Sequence, residues 1–205
     1  MFNRGELLAV HCYEQEKIGI GGSASARRGV DHPTVKSHVM TIGKNLGWHG
    51  SLMVDYLYDE HTDCISYIEA NPRPGETMNA TLSNVNLVDL LVQLALKETV
   101  DPVRNPRYGV LTHSALAVLL GIADRSSSRW SILKETWQMT LRIGDYRNSQ
   151  EDLTPIATDP LSMIPLFAVL TALLKQPSKG HALAAKAVHS YSLDRRAVAI
   201  IHSDL

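Results

Sequence analysis

Cysteine, net charge and long apolar segments are all scarce in this sequence, and each absence excludes a class of protein. Only two of the 205 residues are cysteines, Cys12 and Cys64, which excludes a disulfide-rich secreted scaffold and favours a reducing compartment. The 20 Lys and Arg residues nearly balance the 21 Asp and Glu residues, giving a formal net charge of −1. The sequence therefore gives no electrostatic reason to expect nucleic acid or an anionic membrane as a partner.

Apolar residues form no segment that would cross a bilayer. The longest apolar stretch, from Leu161 to Leu174, is interrupted by Ser162, Pro165 and Thr171 and is too short to span one. The N-terminal residues lack the apolar core of a signal peptide. A composition of 44% apolar and 20% charged residues is typical of a globular protein. We therefore expect a soluble, cytoplasmic protein with no membrane partner.

The first half of the chain mixes strand and helix signals. Two runs rich in β-branched and aromatic residues, 51–58 and 64–70, flank a polar turn and predict an antiparallel hairpin. Around the hairpin, the sequence predicts a strand over 5–13, a Gly- and Ser-rich loop or flexible strand edge over 18–29, a helix from Pro33 to Gly47 and a helix over 85–99.

The second half of the chain has helical periodicity almost throughout. Trp130 and Trp137 are seven residues apart, which indicates that they share one helical face and form a packing stripe in a core. The predicted helices cover residues 112–123, 128–143, 159–174 and 178–202.

Together these elements predict an α+β fold. We expect an antiparallel β-sheet with flanking helices over residues 1–100, followed by a linker over 101–111 that contains two prolines. An all-α C-terminal subdomain would then cover residues 112–205.

The predicted hairpin carries two acidic residues that would face each other. With the turn centred near Thr62, Asp55 lies directly opposite Glu69, and strand alternation places Asn71 on the same face. Like charges in that position destabilise a hairpin unless something neutralises them. A divalent cation held by the carboxylates, the amide oxygen and phosphate oxygens would do so. The alternative is a pair of solvated charges on a polar strand face.

The surroundings of the acidic pair favour the binding interpretation. Asp55 interrupts an apolar run, and Glu69 directly follows Tyr67 and Ile68. Carboxylates embedded in strands of this kind usually have a functional role. Arg73 follows shortly after the second strand, where its guanidinium group could bind a phosphoryl group bidentately.

These motifs resemble the C-terminal part of an ATP-grasp domain. The resemblance rests on the segments Gly47-Trp-His-Gly50, Val54-Asp-Tyr56 and Tyr67-Ile-Glu-Ala-Asn-Pro-Arg73, and it covers roughly residues 5–99. ATP-grasp enzymes, which include biotin carboxylase, carbamoyl phosphate synthetase and D-alanine–D-alanine ligase, typically carry an acid on one strand and an acid-x-Asn signature on the next.

The resemblance implies a site and a reaction. Asp55 and Glu69 would ligate Mg²⁺ or Mn²⁺, with Glu69 bridging two ions and Asn71 as the third ligand. Arg73 would be the catalytic residue that contacts a phosphate or the acyl phosphate. ATP would phosphorylate a small carboxylate, and an amine or a similar nucleophile would then displace the phosphate. The implied cofactors are therefore ATP and Mg²⁺ or Mn²⁺.

The resemblance also draws attention to the Gly- and Ser-rich segment that ends at Arg28. It occupies the place where relatives contact substrate or phosphate. Its backbone amides could surround an anion, and Arg27 or Arg28 could pair with that anion as a cofactor-binding group. A flexible surface loop with two solvated arginines is the alternative.

One part of the ATP-grasp pattern is not recognisable. None of the three lysines in the first 50 residues, Lys17, Lys36 and Lys44, lies in a recognisable nucleotide-binding loop. The sequence therefore predicts a ligase fragment that is incomplete alone and binds nucleotide poorly, with a separate N-terminal lobe or a homo-oligomer as its partner. The alternative is a non-catalytic interaction module derived from an ATP-grasp protein, with the helical half as its binding surface.

Overall fold

The chain divides into two compact units that alternate along the sequence. The computed structural model describes residues 1–96, 99–126, 128–156 and 158–189. Unit 1 comprises Met1–Glu14 and Arg28–Leu111, and unit 2 comprises Gln15–Arg27 and Thr112–Leu205. The sequence predicts a single boundary over 101–111, whereas the structure also groups an early segment with the C-terminal half.

Strands and helices are both well represented, which confirms the predicted α+β class. The strands are β1 (Phe2–Asn3), β2 (Glu6–Leu7), β3 (Cys12–Ile18), β4 (Ala24–Val30), β5 (Met53–Asp59), β6 (Cys64–Asn71), β7 (Leu111–His113) and β8 (Ser149–Glu151). The helices are α1 (Pro33–Leu46), α2 (Met78–Leu82), α3 (Leu87–Ala95), α4 (Ala115–Arg125), α5 (Arg129–Leu141), α6 (Met163–Lys175) and α7 (Gly180–His189).

The strands pair into three sheets within the described part of the chain. Strands β1 and β2 form a short antiparallel ladder, and β5 and β6 form the predicted antiparallel hairpin. The remaining strands form a four-stranded sheet in the order β3-β4-β7-β8.

Helix α1 begins and ends where its sequence predicts. Pro33 occupies the first turn, where its missing N–H removes no intrahelical hydrogen bond. Gly47 ends the helix in the left-handed conformation, with φ at 57°. Val35 and Val39 are buried against Phe2. We call these three residues the α1 core.

One face of the hairpin packs against the α1 core. Val54, Tyr56 and Ile65 lie half-buried against it. Because side chains alternate along a strand, Asp55 points to the opposite face of the hairpin. The packing of α1 therefore decides which face of the hairpin carries the acidic residues.

Helices α2 and α3 complete unit 1 around a second apolar cluster. Asn86 caps α3 by accepting a hydrogen bond from the backbone N–H of Asp89 at 3.1 Å. The buried residues of this cluster include Leu8, Ala80, Val85, Leu90 and Leu94.

In unit 2, helices α4, α5 and α6 supply the buried residues of a separate core, and Leu183 of α7 packs against it. Helices α4 and α5 each begin at a serine, Ser114 and Ser128, whose hydroxyl accepts a backbone hydrogen bond from the first turn. The buried side chains of the core are Leu119, Leu120 and Ala123 from α4, Ile132 from α5 and Leu173 from α6. No helix among the described residues has the length and apolarity that crossing a bilayer requires.

The prediction of a loop or flexible strand edge over 18–29 is confirmed only for residues 19–23 and is wrong for the residues after them. After a short 3₁₀ turn over Ile20–Gly22, the segment forms β4, an interior strand that lies between β3 and β7. Other side chains approach the backbone of Gly29 in this strand closely. A Cβ atom there would lie 3.2 Å from Asn79 Oδ1 and 3.2 Å from Ser83 Oγ.

The prediction of an all-α C-terminal subdomain is also wrong. Strand β8 lies inside this region and joins the four-stranded sheet. It contains only Ser149, Gln150 and Glu151, so no apolar alternation marked it as a strand. The four predicted helices correspond to α4, α5, α6 and α7, and the part of the last one beyond residue 189 lies outside the described residues.

The tryptophan stripe on α5 faces solvent, so its interpretation as a core stripe is wrong. Trp130 is 81% exposed and Trp137 is 62% exposed, whereas Ile132 is fully buried. The spacing correctly placed the two tryptophans on one face of the helix. Periodicity alone could not show that α5 packs through the neighbouring face.

The close packing of Phe2 on α1 can be tested at Gly43. A Cβ atom at this position would overlap the Phe2 ring, which is fully buried. We therefore expect Gly43→Ala to lower the free energy of unfolding by about 1–3 kcal/mol in urea denaturation, although Ala favours helix more than Gly does.

The matched control for this substitution is Ser37→Ala, at an exposed position of the same helix. It should change the free energy of unfolding by no more than about 0.5 kcal/mol. Unchanged or increased stability in Gly43→Ala would contradict the packing of Phe2 against α1.

Candidate functional site

The hairpin register places the two predicted acidic residues opposite each other. Asp55 pairs with Glu69, and Met53 pairs with Asn71 in the same antiparallel ladder. Asn71 lies two residues beyond Glu69, so its side chain is on the face of the two carboxylates. The spatial grouping of Asp55, Glu69 and Asn71 is therefore as the sequence predicts.

A β-bulge follows immediately after the acidic pair. The register shifts between Asp55 and Tyr56, so that Tyr56 pairs with Tyr67 and Ile68 is left out of the ladder. An uninterrupted ladder would have paired Tyr56 with Ile68 instead. The predicted register thus holds on one side of Asp55 and changes on the other.

The bulge allows the two faces of the hairpin to satisfy different requirements. Beyond it, Tyr67 turns toward α1, where its hydroxyl lies 2.8 Å from Nδ1 of His38. The rings of Tyr56 and Tyr67 lie 6.2 Å apart between centroids. Before the bulge, Asp55 and Glu69 remain on the opposite face. Asp55 and Asn71 are half-buried, and Glu69 is exposed.

Arg73 lies beside this face because the chain turns sharply after β6. Its backbone N–H donates to the Asn71 carbonyl at 2.9 Å. Its guanidinium Nη1 donates to the Pro74 carbonyl at 3.4 Å and lies 4.0 Å from the sulfur of Met53. Gly75 also packs on Met53, since a Cβ there would come within 2.5 Å of the sulfur. Met53 thus supports the segment that carries Arg73.

The segment is anchored at its far end by Glu76. The Glu76 carboxylate accepts hydrogen bonds from the backbone N–H groups of Met78 at 2.5 Å and Asn79 at 3.0 Å. Asn79 is fully buried, and its amide contacts His11 and the Val110 carbonyl. Both ends of the segment with Arg73 are therefore fixed to ordered structure.

The donor atoms on the hairpin fit a hard divalent cation. Two carboxylates and one amide oxygen are the ligand types that Mg²⁺ accepts, with water and phosphate oxygens completing its shell. No group of three or more His, Cys, Asp or Glu side chains placed to hold a metal occurs in the described part of the chain. The hairpin set therefore has only two charged ligands and would need oxygens from a bound phosphate.

The two upstream arginines each have a carboxylate partner. In unit 2, Arg27 Nη1 lies 3.1 Å from Asp152 Oδ2, and both side chains are largely buried. In unit 1, Arg28 Nε lies 3.1 Å from Glu14 Oε1 in a half-exposed pair. Binding a cofactor anion at either arginine would mean competing with these carboxylates, and that role stays a prediction.

A buried polar cluster in unit 2 was not singled out by sequence reasoning. His113 Nδ1 lies 2.8 Å from the Ser149 hydroxyl, and its Nε2 lies 3.6 Å from Glu151 Oε2. The same Glu151 oxygen accepts a hydrogen bond from the backbone N–H of Ala115 at 2.8 Å. Although these are the residue types of a nucleophile, a base and an acid, Ser149 is only 4% exposed. We therefore interpret the cluster as structural.

A second polar group in unit 2 centres on Lys17. Its Nζ lies 2.5 Å from Glu135 and 2.9 Å from Asp145. The buried Tyr146 hydroxyl also donates to Glu135, and Lys17 lies over the Tyr146 ring at 5.0 Å. Burial first, and the Glu135 carboxylate second, raise the pKa of Tyr146 well above its usual range. These contacts satisfy a buried phenol and a lysine within the fold.

Different signals would have been needed to find these clusters. The acidic pair was visible because both its strands are rich in β-branched and aromatic residues and flank a polar turn, whereas β7 and β8 are each only three residues long. Their pairing brings His113 and Ser149 together over 36 positions of sequence, and no local pattern reports such a contact.

No family model matches the chain, and no match was found among curated proteins or solved structures.

The pKa of His113 generates a pH prediction. Burial, with smaller contributions from Arg142 and Lys17, lowers this pKa from 6.5 to about 4. The unfolded chain therefore takes up the His113 proton first as pH falls, and stability is lost below pH 6.5 until the folded state is protonated near pH 4. The loss attributable to His113 should be at most about 3 kcal/mol.

The free energy of unfolding should be measured for the wild type and for His113→Gln from neutral pH down to pH 4. The lower limit is the pKa of His113 in the folded state. Gln cannot take up a proton, so the stability difference between the two chains should shrink steadily as the pH falls. A difference that stays constant over this range would contradict a neutral, buried His113.

Proposed function

We propose that this chain supplies the metal-binding part of an ATP-grasp-type ligase. Asp55, Glu69 and Asn71 hold Mg²⁺ or Mn²⁺ together with the phosphates of ATP, and Arg73 binds the phosphoryl group that is transferred. The observation that carries the proposal is the direct pairing of Asp55 with Glu69 on the hairpin face opposite α1.

The pairing supports binding because it is unfavourable by itself. Like charges directly opposite each other in a ladder destabilise it. Asp55 is half-buried, so water screens its charge less than that of a fully exposed residue. Neither carboxylate has a cationic partner within 4.0 Å in the part of the chain that the structure describes. A bound cation would remove the repulsion and give both groups a role.

Each residue would make a separate contribution to carboxylate activation. The cation supplies positive charge at the phosphate oxygens when it is bound. Asp55 and Glu69 place that charge, and Asn71 adds a neutral oxygen that fixes its position on the face. Arg73 offers a planar guanidinium group to the transferred phosphoryl, from a segment held at both ends. A small carboxylate would accept the phosphoryl group, and an amine or similar nucleophile would later displace it.

The proposal can be tested by linking Mg²⁺ binding to stability. Without Mg²⁺, in the presence of a chelator, Asp55→Asn combined with Glu69→Gln should raise the free energy of unfolding by about 0.2–1 kcal/mol, because the repulsion is removed. With Mg²⁺ at about ten times its dissociation constant, the wild type should gain about 1.4 kcal/mol and the double variant nothing.

The matched control is Glu60→Gln combined with Asp63→Asn in the turn of the same hairpin. It removes two negative charges at exposed positions and should keep the response of the wild type to Mg²⁺. If the control loses the response as well, the ion is attracted by general charge rather than by the site. If the double variant at Asp55 and Glu69 responds like the wild type, the proposed site is wrong.

A further inference from the structure

Unit 1 contains a cavity of about 220 Å³ that the proposed function does not use. All of its lining residues come from the segments 7–12, 30–40 and 102–108, and none belongs to the hairpin. Its walls are mainly aliphatic and include Leu7, Val10, Val30, Met40 and Val103. Walls of this kind accommodate the apolar part of a small molecule.

One end of the cavity is polar and lies at the start of α1. His32, the residue that precedes this helix, lines the cavity, and its Nε2 atom is buried without a hydrogen-bond partner among the described residues. Its ring packs edge-on against Tyr58 and Tyr56, with centroid distances of 4.7 and 5.7 Å. Buried polar atoms are rarely left unpaired, so this nitrogen is available to a hydrogen-bonding group of a ligand.

The same end of the cavity is suited to a negative charge. The first N–H groups of α1 have no intrahelical acceptor, and the His32 side chain does not cap them. Lys36 lines the cavity from the first turn of α1 and presents a positive charge there. Lys36 forms no ion pair with any residue that the structure describes.

The acidic lining residue Asp31 accepts a hydrogen bond from the hydroxyl of Tyr108, which also lines the cavity. The Cys12 thiol is a further lining group, and burial raises its pKa to about 11, so it stays uncharged at neutral pH. Lys36 is the cationic lining residue, and neither Lys36 nor Asp31 forms an ion pair with a residue that the structure describes.

We propose that this cavity binds a small apolar carboxylate. Its aliphatic body would lie against Val10, Val30 and Met40, and its carboxylate would contact Lys36, the first turn of α1 and the Nε2 atom of His32. At about 220 Å³ the cavity is roughly half again as large as one of ~150 Å³ that accepts benzene, so a ligand of about eight to ten non-hydrogen atoms would fit.

The test uses 4-methylpentanoate as the probe, with its amide and 3-methylbutylamine as matched neutral and cationic probes. Methyl NMR of methionine is the readout, because Met40 lines the cavity and the exposed Met78 does not. We expect a saturable shift of the Met40 methyl signal, with an unchanged Met78 signal and a dissociation constant of about 0.1–1 mM. The amide should have an affinity at least about tenfold lower than that of the carboxylate.

Two lysine variants of α1 separate charge recognition from general effects. Lys36→Met should weaken carboxylate binding about tenfold and remove the preference over the amide. Lys44→Met changes a lysine in the last turn of the same helix, away from the cavity, and should bind like the wild type.

The outcomes that overturn the proposal are distinct from those that concern the hairpin site. The proposal fails if the wild type shows no saturable shift up to about 10 mM probe, a tenfold margin over the expected constant. It also fails if the amide or the amine binds as tightly as the carboxylate, or if Lys36→Met leaves carboxylate affinity unchanged. The double variant at Asp55 and Glu69 should bind the probe normally, because neither residue lines the cavity.

Discussion

The packing of α1 against one face of the hairpin is the interaction on which the candidate site depends. Phe2, Val35 and Val39 form an apolar surface, and the hairpin covers it with Val54 and Ile65. Strand alternation then leaves the acidic residues no position except the opposite face. Apolar packing on one face of the two-stranded hairpin thus determines that the acidic residues lie on the other face.

The bulge after Asp55 reconciles this packing with the pairing of like charges. A regular ladder that paired Asp55 with Glu69 would also have placed Tyr67 on the acidic face. The bulge instead returns Tyr67 to α1 and leaves Ile68 64% exposed. The fold therefore accepts an irregular strand and an electrostatic repulsion at the same place. Compensation by a bound cation would account for the repulsion, and the proposed function assigns Arg73 to the phosphate that would accompany the cation.

Sequence reasoning succeeded where local patterns are strong. The hairpin, α1 with its Pro33 start and Gly47 end, and the pairing of Asp55 with Glu69 all follow from alternation, periodicity and turn position. It failed where contacts between residues distant in sequence determine the structure. The segment that contains β4 was predicted as a loop because it is rich in Gly and Ser, and it becomes a strand by pairing with β3 and β7. His113 meets Ser149 only through the pairing of short strands. The family assignment and the ligand roles of the hairpin residues remain predictions, because they concern groups that the fold alone does not identify.

The central claim is that the hairpin face holds a divalent cation, and paramagnetic relaxation by Mn²⁺ tests it most directly. Mn²⁺ broadens the NMR signals of nearby amides, so its position on the chain can be read residue by residue. The account predicts the strongest broadening at Asp55 and Glu69 and in the segment around Asn71. Strongest broadening in the acidic turn at Glu60 and Asp63, or no localised broadening at all, would contradict it.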